Sequence, residues 1–97
     1  ERQAVALVYS DGLTIIQNPE PNPPQAKFFE QVKNTPPFVV LEVNGSRVIG
    51  HEPVDTTALG GTVHNPGAVM WWTDGRRYQV IADMPLEELL RIAESLR

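Results

Sequence analysis

Three dipeptides, Asp11-Gly12, Asn44-Gly45 and Asp74-Gly75, each lie between runs of β-branched or aromatic residues. Asn-Gly and Asp-Gly are the preferred two-residue loops of β-hairpins, because both central residues of that turn need positive φ. Three such signals in 97 residues constrain the fold more than any other feature. They predict hairpins of Ala4–Ser10 with Leu13–Gln17, Phe38–Val43 with Ser46–His51, and Ala68–Thr73 with Arg76–Ala82.

If each turn has two residues, counting outward gives the register. In the second hairpin Glu42 faces Arg47, Leu41 faces Val48 and Val40 faces Ile49. In the third, Trp72 faces Arg77, Trp71 faces Tyr78 and Val69 faces Val80. Each pair is chemically compatible across a ladder. Strand residues alternate between faces. Val69, Trp71, Tyr78 and Val80 therefore share one face of the third hairpin, and they are its better core. Met70, Trp72, Arg77, Gln79 and Ile81 share the other, with Trp72 placed to stack beneath the Arg77 guanidinium.

The C-terminal element is a helix. Leu86, Leu89, Leu90, Ala93 and Leu96 repeat at helical spacing. Asp83 is the expected N-cap, with Pro85 in the first turn and Glu87 and Glu88 at the positive end of the helix dipole. Glu87 and Arg91 are spaced for an i,i+4 pair.

Between these elements lie two segments of different character. Pro19, Pro21, Pro23 and Pro24 forbid regular structure over Asn18–Pro24. A short helix can follow, with Asn22 as N-cap, Pro23 as first helical residue, Phe28, Phe29 and Val32 as apolar stripe, and Thr35-Pro36-Pro37 as its end. Glu52–Gly67 reads as a long connecting loop, rich in Gly and Pro. The expected fold is α+β: one domain over 1–97, a curved antiparallel sheet of about six strands, covered by the C-terminal helix and a second short one.

Composition narrows the function. Twelve acidic against eight basic residues give a net charge of −4, which opposes nucleic-acid binding and electrostatic attachment to anionic lipid. The absence of cysteine excludes disulfides, thiolate metal sites and cysteine nucleophiles. No apolar run approaches the roughly 20 residues of a membrane-spanning helix. The start at Glu1-Arg2-Gln3, without Met, reads as a piece of a longer protein.

Catalytic and ligand-binding motifs are sparse. His51 and His64, with Glu52 and Asp55, match no helix-borne or hairpin-borne metal set. Ser10, Ser46 and Ser95 sit in turns or on the final helix, outside any G-x-S-x-G elbow. Gly60-Gly61 has no following Lys and joins no strand to a helix, so it is not a phosphate loop. No metal and no cofactor is expected. Trp72 offers two readings: it packs beneath another element, or it forms with Met70 and Ile81 an apolar patch for a partner. With Arg77 beside them and Thr56, Thr57 and His64 on the long loop, these residues are the candidate interaction surface.

The stretch Val69–Leu96, with Trp71 or Trp72, Gly75, Tyr78 and a helix reading Glu87-Glu88-Leu89 through Ile92-Ala93 to Ser95-Leu96, resembles the end of a bacterial domain of unknown function. That domain occurs in the extracytoplasmic part of anti-sigma factors and related membrane-anchored or lipoprotein-like proteins. The hairpin Val43–Gly50 is similar to the middle of the same family. The resemblance implies a non-catalytic extracytoplasmic sensor or protein-interaction domain, whose parent is membrane-anchored and whose partner is a protein or a small apolar ligand. An alternative is a lipid- or lipoprotein-handling module with an apolar ligand between sheet and helix. A third reading, an enzyme, requires a polar cleft uniting His51, Asp55 and His64.

Overall fold

The computed structural model describes residues 5–8 and 12–96. Its strands are β1 (Val5–Val8), β2 (Thr14–Pro19), β3 (Val39–Val43), β4 (Ser46–His51), β5 (Val54–Ala58), β6 (Gly61–Asn65), β7 (Gly67–Thr73) and β8 (Arg76–Ala82). Helix α1 (Ala26–Lys33) follows β2, and α2 (Leu86–Ser95) follows β8. Six strands form one antiparallel sheet in the order β1-β2-β8-β7-β4-β3, and β5 and β6 form a separate two-stranded sheet.

The β7–β8 hairpin is the centre of the large sheet. The first hairpin joins it through β2, and the second through β4. The observed register pairs Trp71 with Tyr78, Val69 with Val80 and Trp72 with Arg77. It pairs Glu42 with Arg47, Leu41 with Val48 and Val40 with Ile49. All six pairs are those that two-residue turns impose. Asn44 and Asp74 have φ of 53° and 52°, and their glycines 82° and 74°, as that turn requires.

The first hairpin departs from this pattern. A two-residue loop at Asp11-Gly12 would pair Thr14 with Tyr9, whereas Thr14 pairs with Val8. Ala4 and residues 9–11 of the expected hairpin lie outside the described residues. The shift by one aligns Leu7, Ile15 and Val80 in a single row. A one-residue slip exchanges the two faces of a strand, so this register puts Leu7 in that row and leaves Val8 the more exposed of the two.

Helix α2 lies across β7 and β8. Val48, Val69, Trp71, Val80, Ala82, Leu89 and Ala93 form the buried core. Trp71 stacks on Tyr78, with ring centroids 5.4 Å apart and planes 9° from parallel. Contact is close enough that side-chain-free backbone is required. A Cβ on Gly50 would stand 2.7 Å from Leu86 Cδ1, and one on Gly67 would stand 2.8 Å from Leu89 Cδ1 and 3.0 Å from the Met84 carbonyl oxygen.

Several local expectations are corrected. Glu52–Gly67 is not a loop: it is the β5–β6 hairpin, turned at Leu59-Gly60. Strand β2 runs on through Asn18 and Pro19, paired with Arg77 and Arg76. Helix α1 begins at Ala26 with Gln25 as N-cap, not at Pro23. Asn22 and Pro23 each precede a proline, which pushes both away from helical ψ.

The N-cap of α2 also differs. Pro85 occupies the cap position and Asp83 caps nothing. Instead the Leu86 N–H donates to Glu52 Oε1 at 2.8 Å, a carboxylate brought from the far side of the hairpin. Its negative charge lies at the positive end of the helix. The Glu87–Arg91 pair forms as expected, at 3.0 Å.

Candidate functional site

The residues singled out from the sequence fall into three places. Met70 and Ile81 lie together on the sheet face opposite α2, in a hollow of about 310 Å³ completed by Phe38, Ile49, His51 and Pro66. The Phe38 and His51 rings meet edge to face at 5.3 Å. His51 Nδ1 lies 2.9 Å from its neighbour Glu52's carbonyl oxygen, which can only accept, so this nitrogen is the donor.

Trp72 and Arg77 occupy the same face but are not part of that hollow. Helix α1 covers Trp72, with Phe28 and Phe29 packed edge-on to the indole at 6.2 and 5.7 Å. The indole Nε1–H donates to Glu20 Oε2. Arg77 donates to the other oxygen of the same carboxylate at 3.3 Å. Arg77 is thus engaged by Glu20, and the guanidinium set over a ring is that of Arg47, 5.1 Å from the Phe29 centroid. Packing beneath another element describes Trp72; an exposed patch shared with Met70 and Ile81 does not.

Thr56, Thr57 and His64 stand on the β5–β6 hairpin. Only Val54 and Asn65, at its base, are half-buried; the other strand residues are exposed. Asn65 Nδ2 donates to the Val54 carbonyl at 3.2 Å and to Thr56 Oγ1 at 3.1 Å, which stiffens the base. At the apex Leu59 is fully exposed with φ of 49°. Left-handed backbone costs a non-glycine residue roughly 1–2 kcal/mol. From Thr56 to Val63 the hairpin carries no charge, and Val63 is also exposed.

His64 sits below this apex. Its Nδ1 lies 2.6 Å from Asp55 Oδ1 and its Nε2 lies 2.7 Å from Asp83 Oδ1. The hydrogen bond to Asp83 foremost, then that to Asp55, raises its pKa above 6.5. The carboxylates hold opposite edges of the ring, so the three groups do not converge on one point. Among the described residues no group of three His, Cys, Asp or Glu is arranged to hold a metal ion. His51 lies in the hollow and takes no part in this cluster.

Comparison of the chain with family models, curated proteins and solved structures gave no match. The site must therefore be read from geometry. Leu59, Phe38 and Glu20 are participants that the sequence did not single out, and Asp83 is one that it assigns only to the cap of α2. Leu59 precedes Gly60, but Leu is a poor first residue for a hairpin turn, so the sequence carries no clear signal for it. The other three depend on contacts made across the fold.

The space between the sheet and α2 is filled: Trp71, Val69, Val80 and Leu89 are all fully buried there. Room for an apolar ligand exists instead on the opposite face, in the Met70–Ile81 hollow. A second hollow of similar size lies on the α2 side at the sheet margin, bordered by Val5, Leu7, Tyr78 and Leu96. No helix among the described residues is long and apolar enough to cross a membrane.

Proposed function

We propose that this chain is a non-catalytic recognition domain, a sensor or protein-interaction module on the extracytoplasmic side of a membrane-anchored regulatory protein. The resemblance of Val69–Leu96 to the domain found in anti-sigma factors supports the setting. The observation that carries the recognition role is the apex of β5–β6. An apolar side chain stands fully in solvent, on left-handed backbone, at the end of an uncharged projection. Strained backbone concentrates at functional sites, and an exposed apolar apex is a natural anchor for a partner's pocket.

A photo-crosslinking side chain at position 59, compared with one at position 44, tests this in cells that make the protein. The two positions share one turn geometry. A discrete adduct from position 59 alone supports the reading. Equal adduct patterns, or none, contradict it. Fusing alkaline phosphatase after Arg97 of the full-length parent tests the compartment, since the enzyme is active only outside the cytoplasm.

The hollow around Met70 and Ile81 supports a second reading, in which the ligand is small and apolar. It predicts that a fluorescent fatty acid binds saturably and that Met70→Glu abolishes this binding. Binding unaffected by Met70→Glu counts against it.

A further inference from the structure

An ionised carboxylate only accepts hydrogen bonds, and a neutral imidazole has one N–H. His64 contacts Asp55 through one ring nitrogen and Asp83 through the other. Both bonds exist together only when both nitrogens carry hydrogen, so the geometry is that of an imidazolium. Its two partners lie on different parts of the molecule. Asp55 is on β5, directly opposite His64 in the hairpin ladder. Asp83 is on the link between β8 and α2.

The hairpin shares no ladder with the main sheet. It leaves the body at Pro53 and returns at Pro66, and Pro53 lies close against Gly67. Beside this base, Glu52 is occupied by the Leu86 N–H. Among the described residues, the bond from His64 to Asp83 is the side-chain hydrogen bond that ties the outer hairpin to the β8–α2 link.

We infer that His64 is a pH-responsive clamp: as an imidazolium it holds Asp55 and Asp83 together and fixes the hairpin against the β8–α2 link, and as a neutral imidazole its single N–H goes to Asp55 on the same hairpin, which releases the hairpin to turn about its proline base. The clamp is a property of the fold and does not depend on what the hairpin meets. The charged groups facing the ring are Asp55 from β5 and Asp83 from the link, and both favour its protonated form. A group whose folded pKa is raised contributes fully below its unfolded value and loses the contribution as pH rises through the folded value. The clamp is therefore closed below pH 6.5 and opens at a midpoint above it.

Residual dipolar couplings and the His64 ring titration of the full chain, followed by NMR between about pH 5 and about pH 9, test this across the histidine range. At the acid end the amides of residues 54–65 should fit the alignment tensor of the six-stranded sheet. At the alkaline end they should depart from it, with a midpoint that follows the His64 ring and lies above 6.5. Asp83→Ala, which leaves neither acceptor nor donor at this position, should lower the ring midpoint and detach the hairpin couplings from the sheet tensor at both extremes, leaving β7 and β8 unchanged. A His64 ring that titrates at or below 6.5 overturns the inference. So do hairpin couplings that fit one tensor throughout.

Discussion

Three turns in this chain share one backbone geometry. Asn44-Gly45, Asp74-Gly75 and Leu59-Gly60 have first-residue φ of 53°, 52° and 49°, and glycine φ of 82°, 74° and 80°. The first two close hairpins that are built into the six-stranded sheet, while the third closes a hairpin outside it. Asn and Asp relieve left-handed backbone by local hydrogen bonding, and Leu has no such means. The sheet hairpins thus combine favourable turn chemistry with a buried face. The β5–β6 hairpin has neither, and depends on its base and on His64 for its position. Position in the core, rather than turn geometry, separates the stable part of the molecule from its presented part.

The comparison breaks most sharply at Trp71. Trp71→Ala should cost about 3–5 kcal/mol, measured by urea unfolding, because it empties the centre of the core. Val63→Ala, the counterpart on the outer hairpin, should fall within about 0.5 kcal/mol of the parent. Equal effects would erase the distinction.

Gly67→Ala should lower stability by about 1–3 kcal/mol in the same assay. It should cost more than Gly50→Ala, because the Met84 carbonyl oxygen beside Gly67 is backbone, whereas the closest atom to Gly50 is the end of the Leu86 side chain. Glu52→Ala should cost about 1 kcal/mol by thermal melting, the ordinary value of a lost helix cap. The smallest change sharpens the comparison from the other side. Leu59→Asn should stabilise the hairpin by up to about 1 kcal/mol, read as slower exchange of the β5–β6 amides, with no change in the main sheet.

Most of the sheet was legible in the sequence. Asn44-Gly45 and Asp74-Gly75 announced their turns, and the pairs around them follow by counting. The leucine spacing from Leu86 to Leu90 announced α2. Leu59-Gly60 was not legible, because Leu is a poor first residue for such a turn and Val54–Ala58 lacks apolar alternation. Glu52 as the cap of α2 was not legible either, since the two groups are separated by 34 positions and meet only through the fold. Nor was the cover over Trp72, which requires α1 to cross the sheet after the proline segment. Of the candidate surface, Met70 and Ile81 are half-buried in a hollow and Thr56, Thr57 and His64 are exposed on the β5–β6 hairpin, whereas Trp72 and Arg77 are engaged by α1 and Glu20.

Native-state hydrogen exchange measured along a low-denaturant series tests the division of the molecule most directly, because it separates local opening from global unfolding residue by residue. Amides in β7 and β8 should exchange only through global unfolding, with opening free energies that fall steeply as denaturant is added. Amides bonded across β5–β6 should open at much lower free energy, with little dependence on denaturant. A single common opening for both hairpins would contradict the account.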